Sequence, residues 1–392
     1  MSRLVGVGLV GVGWMGRLHS AAYRRVPDHF PDRAGTARLV VAADESEERS
    51  RHATEDLGFE ESSRRWRDVI EHPEVEVVSI TAPNNLHREV ALAAAEAGKH
   101  VWIEKPAGRV PEETAEIADA LERAGLCSIV GFNYRQAPAV RHARRLIASG
   151  ELGVVDHFRS QWIAAYAANP RGALTWRFRR GEAGLGILGD LGSHAIDLAQ
   201  FLLGPVVSVT ARTDTIVTER PLPTSAGTHF AVVEGGQLAP VENEDAVWSV
   251  VRFERGVTGT IEASRAAVGP QARYAFEVHG SRGALAWDFE RMNELSVFVS
   301  DENEDAGYAR VLMGPQHEPY GRFQPGPGLS MGFDDLKVIE ASLVLESVVD
   351  GVQREPGIRE ALAAARVVAA MERSAASGVW QRVGDLRLST GL

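Results

Sequence analysis

The sequence predicts an α/β protein in two parts: a parallel sheet flanked by helices, then a second α/β region built on a large, mostly antiparallel open sheet. Three observations predict it. Up to about residue 135, short apolar segments alternate with helical patterns. The first apolar segment runs directly into a turn with three spaced glycines. Beyond about residue 150 the rhythm changes to strand-like segments, several with period-two alternation, joined by short Gly-containing turns.

RLVGVGLV (3–10) reads as a buried strand and 15–26 as a helix. RLVVAADE (38–45) and VEVVSITAP (75–83) are further strands, and 45–57 is helical. HREVALAAAEAG (87–98) is a helix closed by Gly98, a C-cap signal. KHVWIEKP (99–106) is a strand stopped by Pro106, PEETAEIADALERAG (111–125) a helix and LCSIVGFNYR (126–135) a strand. In the second region 154–166, 206–217, 245–254, 257–268, 274–280, 283–290 and 294–300 read as strands. Loops at 218–244 and 301–335 are long enough to suggest a role. Helical patterns at 334–351 and 357–378 end the chain. The domain reading is 1–136 and 137–392, with the C-terminal helices able to pack back on the first domain.

Composition narrows the function. The chain has 392 residues, 44% hydrophobic and 24% charged, which suits a globular protein. A net charge of −11 argues against a general nucleic-acid binder. One cysteine, Cys127, excludes an internal disulfide framework and argues against a cysteine-based zinc site, so no metal is expected. The apolar N-terminus lacks a basic flank and a cleavage pattern, and no run of about 18 apolar residues occurs. The cytoplasm is the expected compartment, and no membrane partner is expected.

Gly11-x-Gly13-x-x-Gly16 follows a strand and opens a helix, the context that a dinucleotide-binding Rossmann turn requires. Gly11 permits the tight turn, Gly13 the approach of a pyrophosphate, and Gly16 close helix–strand packing. The helix start offers N–H groups to phosphate. Asp44, 28 residues beyond Gly16, suits the acidic residue on the ribose, the delay being explained by an inserted loop at 27–37. A carboxylate there repels a 2′-phosphate, and no Arg follows until Arg49. NAD is therefore the expected cofactor, with NADP possible. The alternative reading of Asp44 is a cap of the helix at 45–57.

A second constellation carries chemistry. Glu104-Lys105-Pro106 ends a strand at the edge where α/β sheets bind ligands, although a lysine there is also an ordinary surface residue. Pro83, Asn84 and His87 end another strand; Asn84 or His87 could reach the cofactor, and His87 could instead cap a helix. In GILGDLGSHAIDLAQFLLG (186–204), Asp190 and His194 stand four apart, on one face if the segment is helical. Neutral His takes a proton near pH 7, a carboxylate orients it or a substrate hydroxyl, and an ammonium stabilises a forming alkoxide. Separately, Asp190 reads as an N-cap and His194 as a core histidine.

GVGWMG, APNNLH, EKP, FNYR and GDLGSHAID occur in the order found in the glucose–fructose oxidoreductase / inositol dehydrogenase / MocA family, and the chain resembles that family along essentially its whole length. LTWRFRRGEAGLGILGD (174–190), FNYRQAPAV (132–140) and EPYGRFQPGPGLSMGF (318–333) resemble members acting on anhydrosugars such as levoglucosan, and related sugar and inositol dehydrogenases. The resemblance implies a Rossmann domain, a substrate-binding and oligomerising second domain, and a homodimer or homotetramer. It implies catalytic roles for Lys105, Asp190 and His194, and interconversion of a secondary alcohol and ketone on an inositol, pyranose or anhydrosugar. The cofactor set read here is Gly11, Gly13, Trp14, Met15, Gly16, Asp44, Pro83, Asn84, His87, Glu104, Lys105 and Asn133. The substrate set is Lys105, Tyr134, Arg135, Trp162, Tyr166, Trp176, Arg177, Asp190 and His194; both Trp residues also read as core. The alternatives are NAD-assisted glycoside cleavage through transient sugar oxidation, and a non-catalytic dinucleotide or sugar sensor.

Overall fold

The computed structural model describes residues 3–32, 35–223, 231–299 and 307–384. The chain forms two compact units. The first comprises Met1–Gln136 and Gly332–Leu362, the second Ala137–Met331 and Ala363–Leu392.

In the first unit β1 (Leu4–Val10), α1 (Trp14–His29), β2 (Thr36–Ala43), α2 (Glu47–Glu55), β3 (Glu61–Ser63), α3 (Trp66–Glu71), β4 (Val77–Ile80), α4 (Asn84–Glu96), β5 (His100–Ile103), α5 (Pro111–Arg123) and β6 (Ser128–Val130) alternate. The strands pair in parallel in the order β3-β2-β1-β4-β5-β6. Val5, Val7, Val77, Val78, Ile80, Trp102 and Ile103 are wholly buried, as a parallel sheet covered on both faces demands. The order reverses between β1 and β4, which opens a crevice at their carboxyl ends. The glycine turn begins there.

The second unit holds α6 (Pro138–Ala148), β7 (Val155–Ala164), a short α7 (Arg180–Ala183), α8 (Ser193–Leu203), β8 (Val206–Asp214), β9 (Glu219–Pro221), β10 (Leu238–Pro240), β11 (Ala246–Phe253), β12 (Thr258–Ser264), β13 (Ala272–Gly280), β14 (Gly283–Asp288), β15 (Glu294–Val299) and β16 (Ala309–Leu312). Then come α9 (Phe333–Asp350), which belongs to the first unit, α10 (Ile358–Ser377) and β17 (Gln381–Arg382). Nine strands run in the order β16-β15-β14-β13-β7-β12-β11-β8-β17. Only β12 and β7 pair in parallel; every other neighbouring pair is antiparallel. In β11 Val247, Ser249, Val251 and Phe253 are buried while Trp248 and Arg252 are exposed, the alternation of a sheet with one covered face. Helices α6 and α8 pack on that sheet.

Three sequence expectations change. Asn133–Gln136 is a buried 3₁₀ turn, so FNYR does not continue the strand. Helices α3 and α6 are additions to the expected elements; α3 is only six residues long, and α6 begins at Pro138, a residue favoured in a first turn but easily read as a breaker. The loop at 218–244 contains β9 and β10, and that at 301–335 contains β16; residues 224–230 and 301–306 of these loops lie outside the described residues.

Candidate active site

In the first unit the glycine turn is shaped by its neighbours. Gly11 adopts φ +96°, open to glycine at little cost. Its N–H donates to the Ala43 carbonyl (2.8 Å), and the Gly11 carbonyl accepts from Thr81 Oγ1 (2.6 Å). A β-carbon added at Gly16 would lie 2.1 Å from that carbonyl oxygen. One added at Gly13 would meet nothing within 4 Å. Space is thus kept beside Gly13, where α1 begins with no side chain capping it, Trp14 exposed and Met15 half-buried. This cradle suits a pyrophosphate held by the first-turn N–H groups. Asp44 follows β2. Its Oδ2 accepts from Val12 N–H (2.9 Å), and its Oδ1 from Ser46 N–H (2.9 Å) and Arg49 (2.8 Å). The side chain of Ser46, not of Asp44, caps α2. The donor set therefore fits a dinucleotide with free ribose hydroxyls.

Lys105 follows β5 and is half-buried. Glu104 N–H continues the strand ladder to Ile80 (2.9 Å). Two readings need correction. His87 does not face a cofactor: its ring is buried, Nδ1 lies 2.8 Å from the Pro106 carbonyl and Nε2 2.8 Å from the Ala82 carbonyl. Burial pushes its pKa down, against the pull of both carbonyls. Glu104 is likewise turned inward, its Oε1 engaged by His19 and Lys337. Pro83 precedes α4 and Asn84 opens it, half-buried. Asn133, Tyr134 and Arg135 are buried in the 3₁₀ turn after β6, and Tyr134 lies against Phe333 (ring centroids 6.1 Å).

In the second unit Asp190 does not cap a helix. Leu188–Gly192 forms one π-helical turn that runs into α8. Such turns widen the helix by one residue and recur at functional sites. The lead-in is anchored by Glu244, whose carbonyl accepts from Ile187 N–H (2.9 Å) and whose Oε1 accepts from Leu188 N–H (3.0 Å). A β-carbon at Gly186 would lie 2.2 Å from that same carbonyl oxygen. Asp190 Oδ2 accepts from the Tyr166 hydroxyl at 2.6 Å. Burial, then the Asp190 charge, raises the Tyr166 pKa well above its ordinary value, so Tyr166 remains a donor. Arg265, buried on Asp245 (2.7 Å) and Asn243 (2.8 Å), adds a positive field. Burial opposes its charge, but the facing carboxylates of Asp245 and Asp190 hold its pKa up. His194 is 6% exposed, and its carbonyl accepts from Tyr274 (2.7 Å).

Trp162, read as a sugar platform, is buried in β7 and stacked on Tyr274 (centroids 5.7 Å), so it belongs to the scaffold under His194. Trp176 and Arg177 are half-buried, with the guanidinium 4.4 Å above the indole ring. Sequence reasoning misses Tyr274, Arg265, Glu244, His19 and Lys337. No local spacing marks them, because each matters through a partner far along the chain.

Comparison with known proteins agrees with this architecture. Residues 5–132 match the oxidoreductase family with an NAD-binding Rossmann fold, and residues 140–286 match the GFO/IDH/MocA C-terminal domain. The chain belongs to this family and is an NAD-dependent dehydrogenase.

Among its relatives is levoglucosan dehydrogenase of Pseudarthrobacter phenanthrenivorans, 38% identical over 97% of this chain and 98% of that one. A solved structure of levoglucosan dehydrogenase with NADH and levoglucosan has TM-score 0.92 at 36% identity, covering 98% of this chain and all of that one. The myo-inositol 2-dehydrogenase of Thermotoga maritima is 26% identical over 77% of this chain and 80% of its own.

Proposed function

We propose that this chain is a dehydrogenase of levoglucosan or a closely related anhydrosugar, with Lys105, Asp190 and His194 as its reacting groups. The observation that carries the reading is the end-to-end likeness to levoglucosan dehydrogenase, which extends through the second unit; the inositol enzyme matches over a smaller share at lower identity. Bound NAD supplies a hydride acceptor. The chain's residues handle the rest. A ring secondary alcohol loses a hydride from carbon and a proton from oxygen. His194 takes that proton on an imidazole nitrogen in oxidation and returns it in reduction. The Lys105 ammonium polarises the oxygen as negative charge develops. Asp190, held by Tyr166, accepts a hydrogen bond from a substrate hydroxyl and fixes its orientation. Gly11, Gly13, Trp14, Met15, Gly16 and Asp44 hold the dinucleotide. Trp176 and Arg177 are the candidate contacts to the sugar ring.

The reading includes a homodimer or homotetramer in the cytoplasm. Its support is the outer face of the nine-stranded sheet, where Arg159, Gln161, Arg212, Trp248, Arg273 and Glu277 line a broad concavity. Trp248 is 44% exposed there and places a large apolar ring among the charged residues of that face. No helix among the described residues is long and apolar enough to cross a membrane.

The test is a panel of levoglucosan, inositols and aldoses, following NAD and NADP reduction separately with Lys105→Ala as control. We expect kcat/KM for levoglucosan with NAD to exceed that for any inositol at least ~10-fold, and Lys105→Ala to lose turnover. An inositol preferred over levoglucosan overturns the substrate; near-normal turnover by Lys105→Ala overturns the role of the lysine.

A further inference from the structure

Lys337 is 1% exposed on α9, more than two hundred residues along the chain from the strand it touches. A buried lysine needs paired charge. Its Nζ donates to Glu104 Oε1 at 2.6 Å and to Glu340 Oε2 at 2.8 Å, and stands 5.7 Å over the Trp102 ring. Glu104 Oε1 also lies 3.1 Å from His19 Nε2. His19 stacks flat on Trp102, with centroids 3.4 Å apart. Burial pushes the His19 pKa down to about 4, so the ring is neutral and gives Glu104 one N–H. Burial alone would keep Glu104 protonated; the Lys337 ammonium and the His19 hydrogen bond instead hold its pKa well below the usual carboxylate range. Burial likewise works against the Lys337 charge, and the two carboxylates overcome it. One ammonium thus faces two carboxylates in the interior of the first unit.

Such a cluster is a poor way to gain stability, since well-packed apolar residues usually do as well. Its position suggests another purpose. Glu104 immediately precedes Lys105. A strand alternates its side chains, so fixing Glu104 on the inner side fixes how the next residue leaves the sheet. On the other side of Lys105, the Pro106 carbonyl is tied to His87. Gly131 keeps room for the carboxylate: a β-carbon there would lie 2.6 Å from both oxygens. Lys105 is therefore bracketed by two buried anchors.

We propose that Lys337 is a positioning residue for Lys105, acting through the carboxylate of Glu104. This rests on the role given to Lys105 above. Lys337 touches no reacting atom; it sets where the Lys105 ammonium stands relative to the reacting oxygen. Removing the charge of Lys337 takes from two buried carboxylates the ammonium they share and loosens that register. Removing the charge of Glu104 as well relieves much of the conflict, because an amide still accepts from its neighbours without needing a counter-ion.

The experiment compares Lys337→Met, Lys337→Arg, Glu104→Gln, Glu104→Ala and Lys337→Met/Glu104→Gln, with Lys105→Ala as reference. Readouts are kcat and KM for levoglucosan and NAD, the Kd for NADH, and thermal unfolding of the apoprotein. We expect Lys337→Met to lower kcat about 10- to 100-fold with the NADH Kd changed less than about 3-fold. Lys337→Arg should recover part of the loss. The double variant should fall close to Glu104→Gln rather than multiplying the two losses. Unchanged kcat in Lys337→Met, or losses that simply multiply, overturns the proposal. Should Lys337→Met fail to fold, the Glu104 pair decides: Glu104→Ala must lose at least ~5-fold more kcat than Glu104→Gln, and equal activities overturn it. If Lys105→Ala turns over normally, the role of Lys105 falls and this inference falls with it. If Lys105→Ala is dead while Lys337→Met is normal, only this inference falls.

Discussion

Tyr166 donates its hydroxyl to Asp190 Oδ2 at 2.6 Å, from a phenol whose pKa burial and the aspartate together drive upward. The bond fixes the direction in which that carboxylate points. Sequence alone reads Tyr166 as a substrate contact; the structure shows its hydroxyl on Asp190, the residue proposed above to orient the substrate. Hydrogen bonds to a charged group contribute about 1.5–3 kcal/mol. Tyr166→Phe should therefore lower kcat/KM for the sugar roughly 10- to 100-fold while leaving NADH affinity unchanged. Steady-state kinetics beside NADH fluorescence titration checks this. Equal losses in sugar turnover and NADH binding would mean that Tyr166 supports the whole unit rather than Asp190.

Gly13 and Gly16 separate binding from folding. A β-carbon at Gly13 meets nothing within 4 Å, and its backbone (φ −77°, ψ −162°) is open to any residue. A β-carbon at Gly16 collides with the Gly11 carbonyl at 2.1 Å. Gly13→Ala should leave the apoprotein's unfolding midpoint within about 2 °C and weaken NADH at least ~10-fold, because the methyl occupies the pyrophosphate's space. Gly16→Ala should destabilise the apoprotein by about 1–3 kcal/mol. Calorimetry of both apoproteins decides, and a Gly13→Ala protein that binds NADH normally would remove the dinucleotide from that turn.

The first unit is largely legible in sequence because its signals are local. Apolar strands, the Gly11-x-Gly13-x-x-Gly16 turn and the Gly98 cap each act within a few residues of themselves. Asp190 and His194 are legible as a pair, but not the π turn beside them, because it sits at the start of the helical run, with too few turns before it to show a shift in apolar spacing. Their place at strand ends assigns His87 and Glu104 to the cofactor, a rule that says which edge a residue occupies and nothing about which way its side chain turns. Lys337 and Arg265 are invisible. A buried cation reads as a surface residue until a distant segment brings its counter-charge, as Glu104 and Asp245 do.

Asp44 and Arg49 form one ion pair just after β2, where the ribose is proposed to lie. The carboxylate holds Arg49 at 2.8 Å while also accepting from Val12 and Ser46 N–H. A 2′-phosphate would have to displace the arginine from an acid that repels the phosphate. Asp44→Ser removes the repulsion and frees Arg49 for a bidentate phosphate contact. The ratio of kcat/KM for NAD over NADP should fall at least ~100-fold, equivalent to about 2.7 kcal/mol. Asp44→Ser/Arg49→Ala should lose most of the gained NADP activity. If the double variant keeps that activity, Arg49 plays no part in cofactor choice.

His19 makes stability depend on mild acid, and the sign follows from its burial. The folded ring has a pKa of about 4 against the ordinary histidine value of 6.5, because burial disfavours the imidazolium more strongly than Glu104 favours it. As pH falls through 6.5 the unfolded chain binds a proton that the folded chain refuses. The stabilisation is complete above 6.5, declines down to about 4, and is flat below. Between about pH 7.5 and 5.0 the loss from this one group is about 2 kcal/mol. His142, also lowered to about 4 by burial and by its neighbours His317 and Arg145, adds a fall in the same window. Glu104 adds its own loss only at lower pH, below the ordinary carboxylate pKa. His19→Gln keeps a side-chain N–H for Glu104 and cannot titrate. Urea unfolding of the apoprotein at about pH 7.5 and 5.0 should show the pH-dependent loss reduced by about 2 kcal/mol in this variant. An identical loss in variant and wild type would place the acid sensitivity elsewhere, with His142 next to be replaced.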